Sequence, residues 1–363
     1  MENSFNLSEY MNKSIENIVK NILKSSIKNS KETEFVIKYM LSVKTAENKR
    51  AVLESKGEHI PPFFMASIAA SCNLHCKGCY ARANKSCGYN LKNSEMSAER
   101  WGQIFNEAKE IGISFGLLLG GEPLTRREVI EKASAVKEIV FPIFTNGTLF
   151  DKSYINLFDK NRNLVPIISI EGNKDQTDAR RGTGTYNSIM SAMTNLNKKT
   201  ILFGCSITVT TENIMTVTSK EFVQKLYNKK ARILVFVEYA PVDRSTENLT
   251  PTDKEHLILE ENIEELRKEF KNMVLLSFPG DEKYMGGCLA AGRGFFHINA
   301  NGGAEPCPLS PYSDVSLKES SLRTALKSPL FKKLKDNEML IGEHDGGCLL
   351  FEKEDDVKAL LDL

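Results

Sequence analysis

Three cysteines fall close together at Cys72, Cys76 and Cys79, in a C-x3-C-x2-C spacing. Thiolates are soft ligands that select iron-sulfur clusters, zinc or copper(I) over hard cations. Three of them leave a four-coordinate metal, or one corner of a cubane, with an open position where chemistry can happen. A second set, Cys288, Cys307 and Cys348, lies toward the other end of the chain, while Cys87 and Cys205 stand apart. Eight cysteines in 363 residues, with no apolar signal core at the start, point to metal ligation. A disulfide framework belongs instead to small secreted domains. On spacing alone, each set also suits structural zinc.

Other residues with chemical potential follow short apolar runs. Gly120-Gly121-Glu122-Pro123 combines glycines that permit close backbone approach with a carboxylate that can neutralise a cation. Thr145-Asn146 is a turn signature, and Ser169-Ile170-Glu171 precedes Arg180 and Arg181. An arginine fork suits a carboxylate, and a glutamate suits sugar hydroxyls. Ser206, Thr208 and Thr210 alternate along another run. Gly182-Thr183-Gly184 is too short and wrongly placed for a dinucleotide fingerprint. Glu238 and Tyr239 end the last run and Asp243, Asp281, Glu282 and Tyr284 lie in the loops that follow; they read as solvated groups that a substrate could recruit.

The elements that must position these groups alternate in type. Phe64–Ala70, Ile113–Leu119, Phe141–Thr145, Leu164–Ile170, Ile201–Val209 and Ile233–Tyr239 read as strands. Amphipathic stretches near 97–110, 126–138, 151–160, 185–197 and 218–228 read as helices. Such alternation predicts an α/β fold with right-handed crossovers and a parallel sheet, and six units fall short of a full barrel. Residues 1–60 form a polar, Lys-rich helical segment closed by Pro61-Pro62, and 61–250 hold the six units. Residues 251–363 begin with a linker helix over 252–270, continue as a loop-rich stretch that needs a metal staple, and include a helix over 321–334.

Taken together, these motifs resemble the radical S-adenosylmethionine (radical SAM) superfamily. The resemblance implies a partial (β/α)6 barrel in which Cys72, Cys76 and Cys79 hold three irons of a 4Fe-4S cluster. The fourth iron would chelate SAM, and reduction would yield a 5′-deoxyadenosyl radical that removes hydrogen from a substrate carbon. Gly120, Gly121, Glu122 and Pro123 correspond to the GGEP motif at the methionyl ammonium. Thr145, Asn146, Ser169, Glu171, Arg181, Ser206 and Thr208 fall at the strand ends that meet the rest of SAM. The family's aromatic before the last cysteine is Gly78 here, and Tyr80 is the candidate to take over its packing near the adenine. Cys288-x13-Gly302-x4-Cys307, followed by Cys348, resembles the SPASM or shorter Twitch extension and implies one auxiliary 4Fe-4S cluster. Water, substrate, or a residue such as His344, Asp345 or Asp314 would fill its fourth position. Relatives of this type modify peptides or proteins, the leading substrate class, with a lipid, small metabolite or cofactor precursor as alternatives. A non-catalytic iron-sulfur or zinc redox protein is the competing class.

The 48 basic and 47 acidic residues nearly cancel, which gives no reason to expect nucleic acid as a partner. An electron donor such as a flavodoxin or ferredoxin is expected. No run is apolar enough to span a bilayer, and a cytoplasmic protein is expected. Ile15, Ile18, Val19 and Ile22, interleaved with lysines, suit a helix packed on the main domain, or peripheral membrane contact through residues 13–28.

Overall fold

The computed structural model describes residues 6–26, 29–88, 94–241, 244–341 and 348–361. Two helices lead the chain, α1 (Leu7–Ser26) and α2 (Ser30–Glu54). Asn29 starts α2 by accepting hydrogen bonds from the N–H groups of Lys31 and Glu32, which satisfies two otherwise orphaned donors. Ile15 and Val19 of α1 are buried with Val36, Tyr39 and Val43 of α2 against Val140, Val165 and Ile167 of the sheet. Burial of each such side chain is worth about 1.5–3 kcal/mol. The apolar face of α1 thus packs on the protein, and the expected membrane contact through residues 13–28 loses its basis. Lys13 and Lys20 on the outer face pair with Glu9 and Glu16, and Lys28 lies outside the described residues. Glu32 of α2 and Arg162 form a buried ion pair at 2.9 Å that ties the helices down.

The sheet opens with β1 (Phe63–Ala69), followed by α3 (Tyr80–Ala83) and α4 (Ala98–Glu110). Strand and helix then alternate through β2 (Phe115–Gly120), α5 (Arg127–Ala135), β3 (Phe141–Thr145) and α6 (Lys152–Lys160). After β4 (Leu164–Ser169) come α7 (Lys174–Arg181) and α8 (Thr185–Lys198); after β5 (Gly204–Val209), α9 (Ile214–Val217) and α10 (Lys220–Asn228). The series ends with β6 (Ile233–Glu238), α11 (Asp253–Glu269) and β7 (Val274–Phe278). Successive strands from β1 to β7 pair in parallel. The expected parallel partial barrel is therefore present. The 252–270 stretch, expected as a linker, is another crossover helix, because β7 follows it and pairs with β6.

Beyond β1 the sheet gains β8 (His297–Ile298), parallel to β1, and β9 (Ala304–Glu305), antiparallel to β8. The C-terminal stretch adds α12 (Leu322–Ala325), α13 (Pro329–Asp336), α14 (Leu349–Glu352) and α15 (Glu354–Leu360). The single helix expected over 321–334 is divided, because Ser328 caps a new helix with Pro329 in its first turn. On the outer face of the sheet, the α4 residue Phe105 packs on Phe64 and Phe141, and Trp101 stacks on Phe105. Both rings of α4 are fully buried, so the strands are held from outside while their C-terminal ends stay open for the site.

Candidate active site

A register shift between Ser67 and Ala69 bends β1 just before the loop that carries the first cysteine set. The end of β2 presses on that bend. A Cβ on Gly120, which has φ of 136°, would lie 2.4 Å from the Ala69 carbonyl oxygen, and one on Gly121 would lie 2.3 Å from that of Ser71. Only glycine fits at either position. Close approach is thus to the neighbouring backbone, and it locks the β2 turn to the cysteine loop through Gly121 N–H to Ala69 O at 2.7 Å.

Within that loop the Arg82 guanidinium donates to the Leu74 carbonyl at 2.7 Å, and the Lys77 N–H donates to the Arg180 carbonyl at 2.9 Å. Cys72, Cys76 and Cys79 are all partly exposed, unlike buried Cys87 and Cys205. Burial pushes the Cys72 thiol up to about 11 and raises that of Cys76, with Arg181 and Arg180 acting the other way on Cys76. Asn146 reaches over from the end of β3, donating to Asn73 at 2.8 Å.

Glu122 does not open toward the cysteines. Its carboxylate accepts from Thr145 Oγ1 at 2.7 Å, Asn146 N–H at 2.8 Å and Leu124 N–H at 3.0 Å. Only 1% of the residue is exposed, and burial raises its pKa above the ordinary carboxylate range. Glu122 and Thr145 therefore brace the strand ends, and Pro123 is buried in the first turn of the short helix that Glu122 caps.

Glu171 is likewise buried, and binds Arg180 at 2.7 Å and the Arg181 Nε at 2.6 Å while also accepting from the Thr208 N–H at 3.2 Å. Burial pushes its carboxyl up, but the two guanidinium charges outweigh that and the net shift is downward. Both arginines sit in the last turn of α7 and face the cysteines. Ser169 and Ser206 share a hydrogen bond at 3.0 Å across adjacent strands.

A cavity of about 990 Å³ runs through the barrel. Its floor is formed by α1, its wall is apolar, with Met65, Leu117, Phe144 and Val235, and its mouth carries Cys72, Cys76 and Cys79. Asn146, Ser169, Arg180, Arg181, Ser206 and Thr208 line it as well. So do Cys288, Cys307 and Cys348, so both cysteine sets share one space. Tyr80 is partly buried between them, its hydroxyl raised by desolvation and by neighbours Cys79, Cys87, Glu305 and Cys307. Tyr80 lines the cavity, and Tyr239, 4% exposed, lies against Gly78 beside it.

In the second set the Cys307 and Cys348 thiols are hydrogen-bonded to each other, with Cys288 beside them. Arg293 fixes the Cys288 loop by donating to the carbonyls of Gly287 and Cys288 at 2.9 and 3.0 Å and of Met285 at 2.6 Å. Glu282, 3% exposed, lies against Cys288, and burial pushes its carboxyl up to about 8. Asp314 does not reach this set; it accepts from the Leu330 N–H at 2.7 Å. His344, Asp345 and Asp243 lie outside the described residues. Among the described residues, no three His, Cys, Asp or Glu side chains are drawn within reach of a single metal ion. Cubane ligands stand on separate irons and need not converge on one ion, and three soft thiols lining one cavity are the donor type such a cluster takes.

Residues 67–224 match the radical SAM superfamily, so the barrel is a radical SAM domain. The protein is accordingly a radical SAM enzyme, of a family whose cofactors are a 4Fe-4S cluster and SAM, and the non-catalytic reading is set aside. The chain is 25% identical to an AdoMet-dependent heme synthase of Methanosarcina barkeri over 78% of its length and 87% of that protein. It is 22% identical to a PqqA peptide cyclase of Rhizobium meliloti over 72% of its length and 73% of that protein. In fold it is similar to Streptococcus suis SuiB bound to S-adenosylmethionine, with a TM-score of 0.67 at 18% identity, over 85% of this chain and 79% of that one. SuiB bound to its precursor peptide SuiA aligns with a TM-score of 0.65 at 17% identity, over 89% and 78%. Among the described residues, no helix is long and apolar enough to cross a membrane.

Proposed function

We propose that this radical SAM enzyme modifies a peptide or protein, with the SAM-binding cluster on Cys72, Cys76 and Cys79 and an auxiliary iron-sulfur cluster on Cys288, Cys307 and Cys348. The observation that carries the reading is the single cavity lined by both cysteine sets. When bound, the cluster supplies one-electron reductive cleavage of SAM and with it the power to remove a hydrogen atom from an unactivated carbon. The chain's own residues bind and orient. Arg181, steadied by Glu171, presents a guanidinium beside Cys76 for the methionyl carboxylate. Asn146 and Ser169 would hold the methionyl and ribose parts, and Ser206, Thr208 and Tyr239 the adenine, all of them lining the cavity. The apolar barrel wall keeps water away from a reactive carbon. A flavodoxin or ferredoxin would supply electrons.

Likeness to the PqqA peptide cyclase and to peptide-bound SuiB supports the peptide class. The apolar wall and the heme synthase relative support a second reading, a tetrapyrrole. Anaerobic turnover with a deuterated candidate distinguishes them. Deuterium should appear in 5′-deoxyadenosine from a labelled candidate peptide, and its appearance only from a labelled porphyrin would transfer the reading to tetrapyrroles. Replacing Cys72, Cys76 and Cys79 by Ala should abolish 5′-deoxyadenosine formation and lower iron from about eight to about four per chain. Undiminished cleavage in that variant would overturn the mechanism.

A further inference from the structure

Glu282 lies in the turn Gly280–Met285, shortly before Cys288, and sequence alone reads it as a loop charge. In the fold it is almost fully buried. One carboxylate oxygen accepts from the Leu289 N–H at 3.2 Å. The Cys288 thiol bonds to the same carboxylate, and Cys348 lies close enough to interact with its charge. Glu282, Cys288, Cys307 and Cys348 all line the one cavity. Arg293, the nearby base, donates to the carbonyls of Met285, Gly286, Gly287 and Cys288, so it clamps the loop that joins Glu282 to Cys288.

We propose that Glu282 is the fourth protein ligand of the centre held by Cys288, Cys307 and Cys348. The inference rests on the auxiliary-cluster reading above. Carboxylate oxygens bind both iron and zinc. Three thiolates and a carboxylate gathered in a buried place repel one another, and a positively charged metal core is what offsets that repulsion. The other candidate that the structure describes, Asp314, is engaged at the start of α13.

The test uses the full chain with Cys72, Cys76 and Cys79 replaced by Ala, so that only the second centre remains, reconstituted anaerobically with iron and sulfide. With Glu282 present, about four irons should be held, and mild oxidation should leave the protein without a 3Fe-4S electron paramagnetic resonance signal. Glu282→Gln keeps the shape and an acceptor for the Leu289 N–H but is a poor ligand. It should lose one iron on mild oxidation and show the 3Fe-4S signal, and Glu282→Cys should restore four irons and silence it. Identical iron content and spectra for Glu282 and Glu282→Gln, or the failure of Glu282→Cys to hold a fourth iron, would overturn the ligand assignment alone. One zinc in place of iron in the parent would overturn the auxiliary-cluster reading itself, and the proposal with it.

Discussion

The ring of Tyr239, at the end of β6, occupies the space that a side chain at Gly78 would need. A Cβ on Gly78 would lie 2.5 Å from the Tyr239 Oη and 2.8 Å from its Cε2. Gly78 also has φ of 64°, a conformation that L side chains resist. An aromatic ring thus reaches Gly78, the position before the last cysteine, from the end of a distant strand.

If Tyr239 covers the adenine, Tyr239→Ala should weaken SAM binding by about tenfold, the size of one lost aromatic contact of about 1–1.5 kcal/mol. Iron content should stay near wild type, because the ring ligates nothing. Calorimetric titration of the reconstituted protein with SAM measures the affinity. An unchanged dissociation constant would return the adenine contact to another residue.

Glu122 holds three donors from two strand ends, so its removal should cost stability before it costs SAM contact. Glu122→Ala leaves the buried N–H groups of Leu124 and Asn146 without their acceptor, at about 1–3 kcal/mol for each unsatisfied group. Urea unfolding should show a lowered midpoint. A variant as stable as wild type but unable to bind SAM would instead assign the carboxylate to the ligand.

Much of this arrangement was legible in sequence, and the exceptions have physical reasons. Strands β1 to β6 announce themselves by apolar runs set between amphipathic helices, and the first cysteine set by local spacing. Helix α7 escapes the periodicity because Thr177 alone is buried in it. Its signal was the capping box of Asn173 and Gln176. Strand β7 is a five-residue run of the kind that periodicity cannot separate from a buried helix segment. Glu282 and Tyr239 look like solvated groups because their burial depends on segments far away in the chain. No local pattern encodes such closure.

Glu171 provides a pH test. Burial raises its carboxyl and the Arg180 and Arg181 charges lower it further, for a net depression below its ordinary value of 4.5. A depressed carboxyl contributes stability above its unfolded pKa, and that contribution fades as pH falls through the lower folded value. Glu171→Gln should therefore be less stable than wild type at pH 7, by about 3–5 kcal/mol if the arginines are left uncompensated. The gap should shrink once pH drops below 4.5. Denaturation midpoints for both proteins across that range check this, and a gap constant with pH would exclude the ion pairs as its source.

The C-terminal extension is clasped to the barrel by Ser67, His297 and Glu305. The Ser67 Oγ lies 2.8 Å from the His297 Nε2, and the His297 Nδ1 lies 2.6 Å from the Glu305 carboxylate. The order of groups is that of a hydrolase triad, yet all three residues are buried, at 6%, 3% and 3% exposure. None of them lines the cavity, so no substrate reaches the serine and the array works as a fastener between β1, β8 and β9. His297→Leu should break both bonds and leave Glu305 buried with only its Asn299 donor, at about 1–3 kcal/mol. Because β8 and β9 lie between Cys288 and Cys307, the loss should loosen the second cysteine set before the first. Limited proteolysis should then cut the C-terminal stretch while the barrel stays intact. Equal protease resistance in wild type and His297→Leu would show that the extension is held by its apolar contacts alone.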